Sequence, residues 1–144
     1  MTATPPAKPT EASIDLDEVR TTGDAAAWLR QEAARHAAAA KSDTSPIRAR
    51  ACRLTGSTLE AYAVVTGTYR DPAGLGTELR RLADDYRHPD RYPVEPIPEV
   101  HHLACRHLAD ALGPLAQQLD RVAATQPHRT RQHARPAPGQ SIDQ

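Results

Sequence analysis

Seven histidines and two cysteines are the side chains of this chain best suited to holding a borderline-soft ion. Four of these nine fall together: His101, His102, Cys105 and His107. His101 and Cys105 are four residues apart, so on a helix they share a face and offer one nitrogen and one sulfur to a metal such as zinc. A site needs at least one further ligand, and His36, His88 or Asp84 on other helices are the candidates. The spacing matches neither a paired C-x-x-C nor an H-E-x-x-H. Cys105 also continues an apolar seam, where a cysteine acts as a small hydrophobe. The sequence therefore assigns no metal ligand, and the cluster reads as one seam cysteine among surface histidines.

Asp84, Asp85, His88 and Asp90 are the second constellation. Carboxylates beside a histidine can move protons, but adjacent aspartates on a helix splay by about 100° and do not converge on one substrate. A solvated helix end is the expected reading. Arg48, Arg50 and Arg53 are the third, a cationic group able to meet a phosphate backbone. The helix that carries them is too apolar along its length to lie in a DNA groove. The chain lacks a nucleophile elbow and a phosphate-binding loop, and Gly74-Leu75-Gly76 is too short for a dinucleotide fingerprint. No catalytic or cofactor-binding residue is assigned.

The elements that must position these residues are helical. Leu108, Leu112, Leu115, Leu119 and Val122 recur at alternating steps of four and three, and the rhythm extends back through Cys105 to His101. Ala104, Ala111 and Ala123 widen this seam. Each of its large residues is worth roughly 1.5–3 kcal/mol when buried, so the stripe requires a cover. Pro98 opens this helix and Glu99 suits its positive end. Gly113-Pro114 interrupts it, but the seam continues in phase, which predicts a kink in place of a break.

A first helix is expected from an Asp24 cap to about Lys41, with Trp28, Leu29, Ala33, Ala37 and Ala40 inward. A second is expected from about Pro46 to Tyr69, capped by Ser45, with Ile47, Ala51, Leu54, Thr58, Ala61, Val65 and Thr68 as its seam. Asp71-Pro72-Ala73-Gly74 breaks the chain, and a shorter helix follows to about Arg87 through Leu75, Leu79, Leu82 and Tyr86. The proline-rich stretch His88–Pro98 reads as an extended crossover. Ile14–Val19 reads as a short lead-in.

Composition limits what these helices can build. Leu, Ile, Val and Phe make up 22 of 144 residues, about 15 %, and there is no Phe, below the roughly 20 % expected of folded domains. Formal net charge is zero, which argues against a dedicated nucleic-acid binder. Two cysteines are too few for a disulfide framework, and no apolar run reaches the roughly 18 residues of a membrane span. The expectation is an all-α chain, a small four-helix bundle over residues 15–126 with disordered tails at 1–14 and 127–144. Its expected role is non-catalytic and cytoplasmic: a scaffold, adaptor or oligomerising subunit acting through protein–protein contacts, without cofactor. A regulatory DNA-binding protein is the alternative, and a metal-binding helical bundle the third reading.

Overall fold

The structure, a computed structural model, describes residues 13–91 and 96–125. Most of each expected disordered tail, and the centre of the proline crossover at 92–95, lie outside the described residues.

Four α-helices carry the fold: α1 (Thr22–Ser42), α2 (Pro46–Thr66), α3 (Pro72–Tyr86) and α4 (Pro98–Ala124). Two 3₁₀ turns, Leu16–Glu18 and Pro89–Arg91, precede α1 and follow α3. The N-terminus of α1 lies earlier than the Asp24 cap implies. Thr21 is the cap, its hydroxyl accepting from the Asp24 N–H at 3.0 Å while the Asp24 carboxylate accepts from the Thr21 N–H at 3.2 Å. Asp24 is thus the third residue of a reciprocal capping box. Ser45 caps α2 as expected, accepting from the Arg48 N–H, and Pro46 stands at the first turn. Asp71 and Pro72, read from sequence as a break, do break the chain but also start α3, with the Asp71 carboxylate accepting from the Ala73 N–H. Pro114 lies inside α4, which runs through it as one helix.

The chain packs as two antiparallel hairpins, α1 on α2 and α3 on α4, joined chiefly where α2 meets α4. At the α1–α2 seam, a Cβ at Gly56 would stand 3.0 Å from the Ala33 carbonyl oxygen, so this pair approaches backbone to backbone. At the α3–α4 seam, Gly76 faces Leu119 and Ala116. The first hairpin closes at its far end through the Thr22 hydroxyl, which donates to the Tyr69 carbonyl at 2.7 Å.

The α4 seam finds its cover within the same polypeptide. Leu108, Leu112, Leu115, Leu119 and Val122 are all buried, as are Cys105 and His101, and the four leucines join Leu29, Leu59, Leu75 and Leu79 in one core. The lead-in is held as well. Gln31 brackets Ile14, its amide oxygen accepting from the Ile14 N–H at 2.8 Å and its amide nitrogen donating to the Ile14 carbonyl at 2.9 Å. The buried Gln118 amide donates to the Val19 carbonyl at 2.9 Å. These two side chains satisfy backbone groups that have no partner strand or helix of their own.

The face of α2 differs from the seam read in the sequence. Its buried residues are Ala49, Ala51, Cys52, Thr55, Gly56, Leu59, Ala63 and Thr66, whereas Val65 is 53 % exposed and Ile47 36 %. Close backbone approach is the cause. The helix turns its small residues toward α1, because bulky β-branched ones would hold the pair apart. That rotation carries Cys52 inward.

Candidate metal centre

His36, Cys52 and His107 come together where α1, α2 and α4 converge, with one donor atom from each lying within 4.8 Å of the other two. Among the described residues, these three are the group of ligating side chains so placed. The hairpin geometry explains the first pair. His36 and Cys52 each lie eight residues from Thr44 in the connecting turn, so two antiparallel helices meeting there bring them level. The approach at Gly56, one turn beyond Cys52, draws the two backbones together; a Cβ there would also lie 3.8 Å from the His36 Cβ. α4 brings the third ligand, and the His36 and His107 rings stand 5.0 Å apart between centroids, tilted by 53°.

Zinc holds nitrogen at about 2.0–2.1 Å and thiolate sulfur at about 2.3 Å, so tetrahedral donors stand roughly 3.3–3.6 Å apart. Closing from 4.8 Å is within the reach of small rotations of two imidazoles. The protonation states suit the task. Burial holds the His36 imidazole below its ordinary range, and the neighbouring His107 and Arg35 lower it further against the pull of Glu32. Burial also lowers His107, with Asp110 opposing and Arg106 assisting. Both rings are therefore biased toward the neutral form that donates a lone pair to a metal. Burial raises the Cys52 thiol, Asp43 adds to the rise and Arg48 opposes it, so a bound cation is what would ionise it.

The two histidines open onto a cleft of about 380 Å³. Glu32, Arg35 and Asp110 supply its charged groups, and Leu16, Trp28, Ala111 and Pro114 its apolar wall. Glu32 and Arg35 form an ion pair. Cys52 is outside the cleft lining and only 8 % exposed.

The histidine–cysteine cluster that stands out in the sequence is divided by the fold. His101 and Cys105 face inward, the sulfur 3.7 and 3.8 Å from the two ring nitrogens. The His101 Nε2 lies 2.7 Å from the Pro89 carbonyl oxygen, which can only accept, so that nitrogen carries the proton and donates. Burial keeps the Cys105 thiol high. His102 is exposed, its ring 5.7 Å from that of His101, and His107 leaves on another face to meet His36. Cys52 is the candidate ligand that sequence reasoning passed over. Its signal was its match with His36 about the Thr44 turn.

The other constellations are occupied by structural contacts. Arg81 and Arg91 pair with Asp85, and Arg91 also lies 3.6 Å from Asp84. The His88 Nδ1 lies 2.9 Å from the Asp84 carbonyl. Arg48 bonds Asp43 at 3.1 Å. Tyr62 and Tyr86 share a hydrogen bond of 2.5 Å between hydroxyls, and burial followed by that bond pushes the Tyr86 phenol far upward. A larger, shallower groove of about 830 Å³ lies beside Ala37, Leu54 and Ser57, with Lys41, Arg50 and Arg53 at its edge; no metal-ligating side chain lines it. No described helix is long and apolar enough to cross a membrane. No protein-family model, curated protein or solved structure matches the chain.

Proposed function

We propose that this protein is a metal-binding helical bundle whose centre is His36, Cys52 and His107. The reading departs from the sequence expectation of a chain without metal ligands. One observation carries it: three side chains of the types that hold zinc, from three separate helices, place their donor atoms within 4.8 Å of one another. Two nitrogens and one sulfur suit a borderline-soft divalent ion, zinc or cobalt, over the hard, oxygen-seeking calcium and magnesium.

Calorimetric titration of the full chain with Zn²⁺ tests the proposal. One equivalent is expected to bind, and His36→Ala or Cys52→Ala should abolish that binding while Cys105→Ala retains it. A Cys52→Ala chain that binds one equivalent as tightly as the natural one removes the basis of the reading.

A second reading, contact with another protein chain, draws on Val64 and Val65 near the end of α2, which are 62 % and 53 % exposed. With the α4 seam buried internally, these adjacent valines are the most exposed large apolar side chains among the described residues. Sedimentation equilibrium should then show a dimer that Val64→Ser with Val65→Ser dissociates, and a monomer at every concentration counts against it.

A further inference from the structure

The two halves of α1 are held differently. The first half puts Ala25, Trp28, Leu29 and Ala33 into the main core. The chain just before it is tied to α4, because the Gln118 amide donates to the Val19 carbonyl. Over residues 34–42, by contrast, Ala40 is the one buried residue. The others there are exposed, save the half-buried His36. Five of these residues are alanine, which favours the helix but buries little area to anchor it.

The polar contacts of this second half do not anchor it either. Arg35 bonds Glu32, and the Ser42 hydroxyl bonds the Ala39 carbonyl, both within α1. Among the described residues no hydrogen bond or ion pair joins residues 34–42 to α4. Against α2 the approach is close, a Cβ at Gly56 standing 3.5 Å from the Ala37 nitrogen. Toward α4 the half reaches out through the His36 ring, 5.0 Å from that of His107 between centroids. A helical segment with so few buried apolar contacts opens locally at a lower free energy than the core. An isolated stretch of this length does not hold its helix in water. His36, one of the three candidate ligands, lies inside this segment, while Cys52 and His107 stand on helices that the core holds elsewhere.

We propose, resting on the metal-binding reading above, that the ion is an ordering switch for the second half of α1. Ligation through His36 fastens that half to Cys52 of α2 and His107 of α4. Without the ion the segment opens and closes while the rest of the bundle stays folded. The switch has a visible output. Ala37, Ala40 and Lys41 form the α1 wall of the shallow groove, and Leu54, Gly56 and Ser57 belong to its α2 wall. The groove therefore has both walls only while this half of α1 is ordered.

Amide hydrogen exchange of the full chain, read by mass spectrometry with and without Zn²⁺, tests the proposal. In the metal-free protein, residues 35–40 should be protected at least about tenfold less than residues 26–32 of the same helix. Opening of residues 35–40 releases the ion, so zinc at about one hundred times its dissociation constant should slow their exchange on the order of a hundredfold. Cys52→Ser should lose that slowing and Cys105→Ala should keep it. Calorimetric titration with Zn²⁺ separates the two levels of the argument. If no zinc binds, the metal-binding reading itself fails and this inference falls with it. If one equivalent binds but the exchange of residues 35–40 does not change, the switch is overturned while the metal-binding reading stands. Equal protection of residues 35–40 and 26–32 in the metal-free protein overturns the switch in the same way.

Discussion

His101 and Cys105 lie one turn apart on a single helix, whereas His36, Cys52 and His107 come from three helices. In the first pair the imidazole is committed to the Pro89 carbonyl and the sulfur is packed against the ring, and no third ligating side chain joins them among the described residues. In the second group each donor is held by a different backbone and the histidines face a cleft. The side-chain types are the same. What differs is convergence and access: one helix can bring two groups into line, but enclosing an ion requires directions that only separate elements supply. Sequence proximity is therefore a poor guide to which ligating side chains converge in a bundle.

The comparison can be broken most severely by removing the frame that both share. Leu115 is fully buried at the centre of the α4 seam, and Leu115→Asp should cost on the order of 5 kcal/mol by burying an unpaired carboxylate. Loss of the helical circular-dichroism signal is the expected readout, and an unchanged melt means that the seam is not internal.

Metal sharpens the contrast next. Zinc at about one hundred times its dissociation constant should stabilise the fold by about 2.7 kcal/mol, raising Tm by about 10 °C. Cys105→Ala should retain that rise and Cys52→Ala should lose it, as read by calorimetric melts with and without zinc. His101→Ala should act in the opposite sense. It leaves the Pro89 carbonyl without its donor and costs about 1–2 kcal/mol, while the increment from zinc stays the same. An increment that falls with His101 would merge two sites described here as separate.

The smallest effect is one of pH. With His36 and His107 held below their ordinary values, the unfolded chain takes up protons first as pH falls below about 6.5. Stability is complete above that pH and declines until the folded-state values are reached. His36→Gln with His107→Gln should flatten this slope in urea melts of the metal-free protein. A slope that persists locates its origin in other groups.

The helices were legible because their signals are local. Ser45-Pro46 and Pro98-Glu99 mark helix starts through chemistry confined to one turn, and the α4 stripe states its own phase through five large apolar residues. α2 was legible in extent but not in orientation. Its largest apolar residues pointed to a seam through Ile47, Leu54 and Val65, and the fold buries Cys52 and Ala63 instead. The preference for small residues at that seam arises from how near another helix comes, a tertiary distance that periodicity does not encode. The same blind spot concealed the candidate centre: His107 was visible as part of a cluster, but its meeting with Cys52 depended on how α2 was turned.

The clearance at Gly56 sets how near α1 and α2 can come. With the Ala33 carbonyl only 3.0 Å from where a side chain would begin, the separation of α1 and α2 is gauged by main-chain bulk, not by the compressible leucine interior. The distance from His36 to Cys52 inherits that gauge. A single methyl group added at position 56 would act as a shim between the helices and widen the spacing of His36 and Cys52.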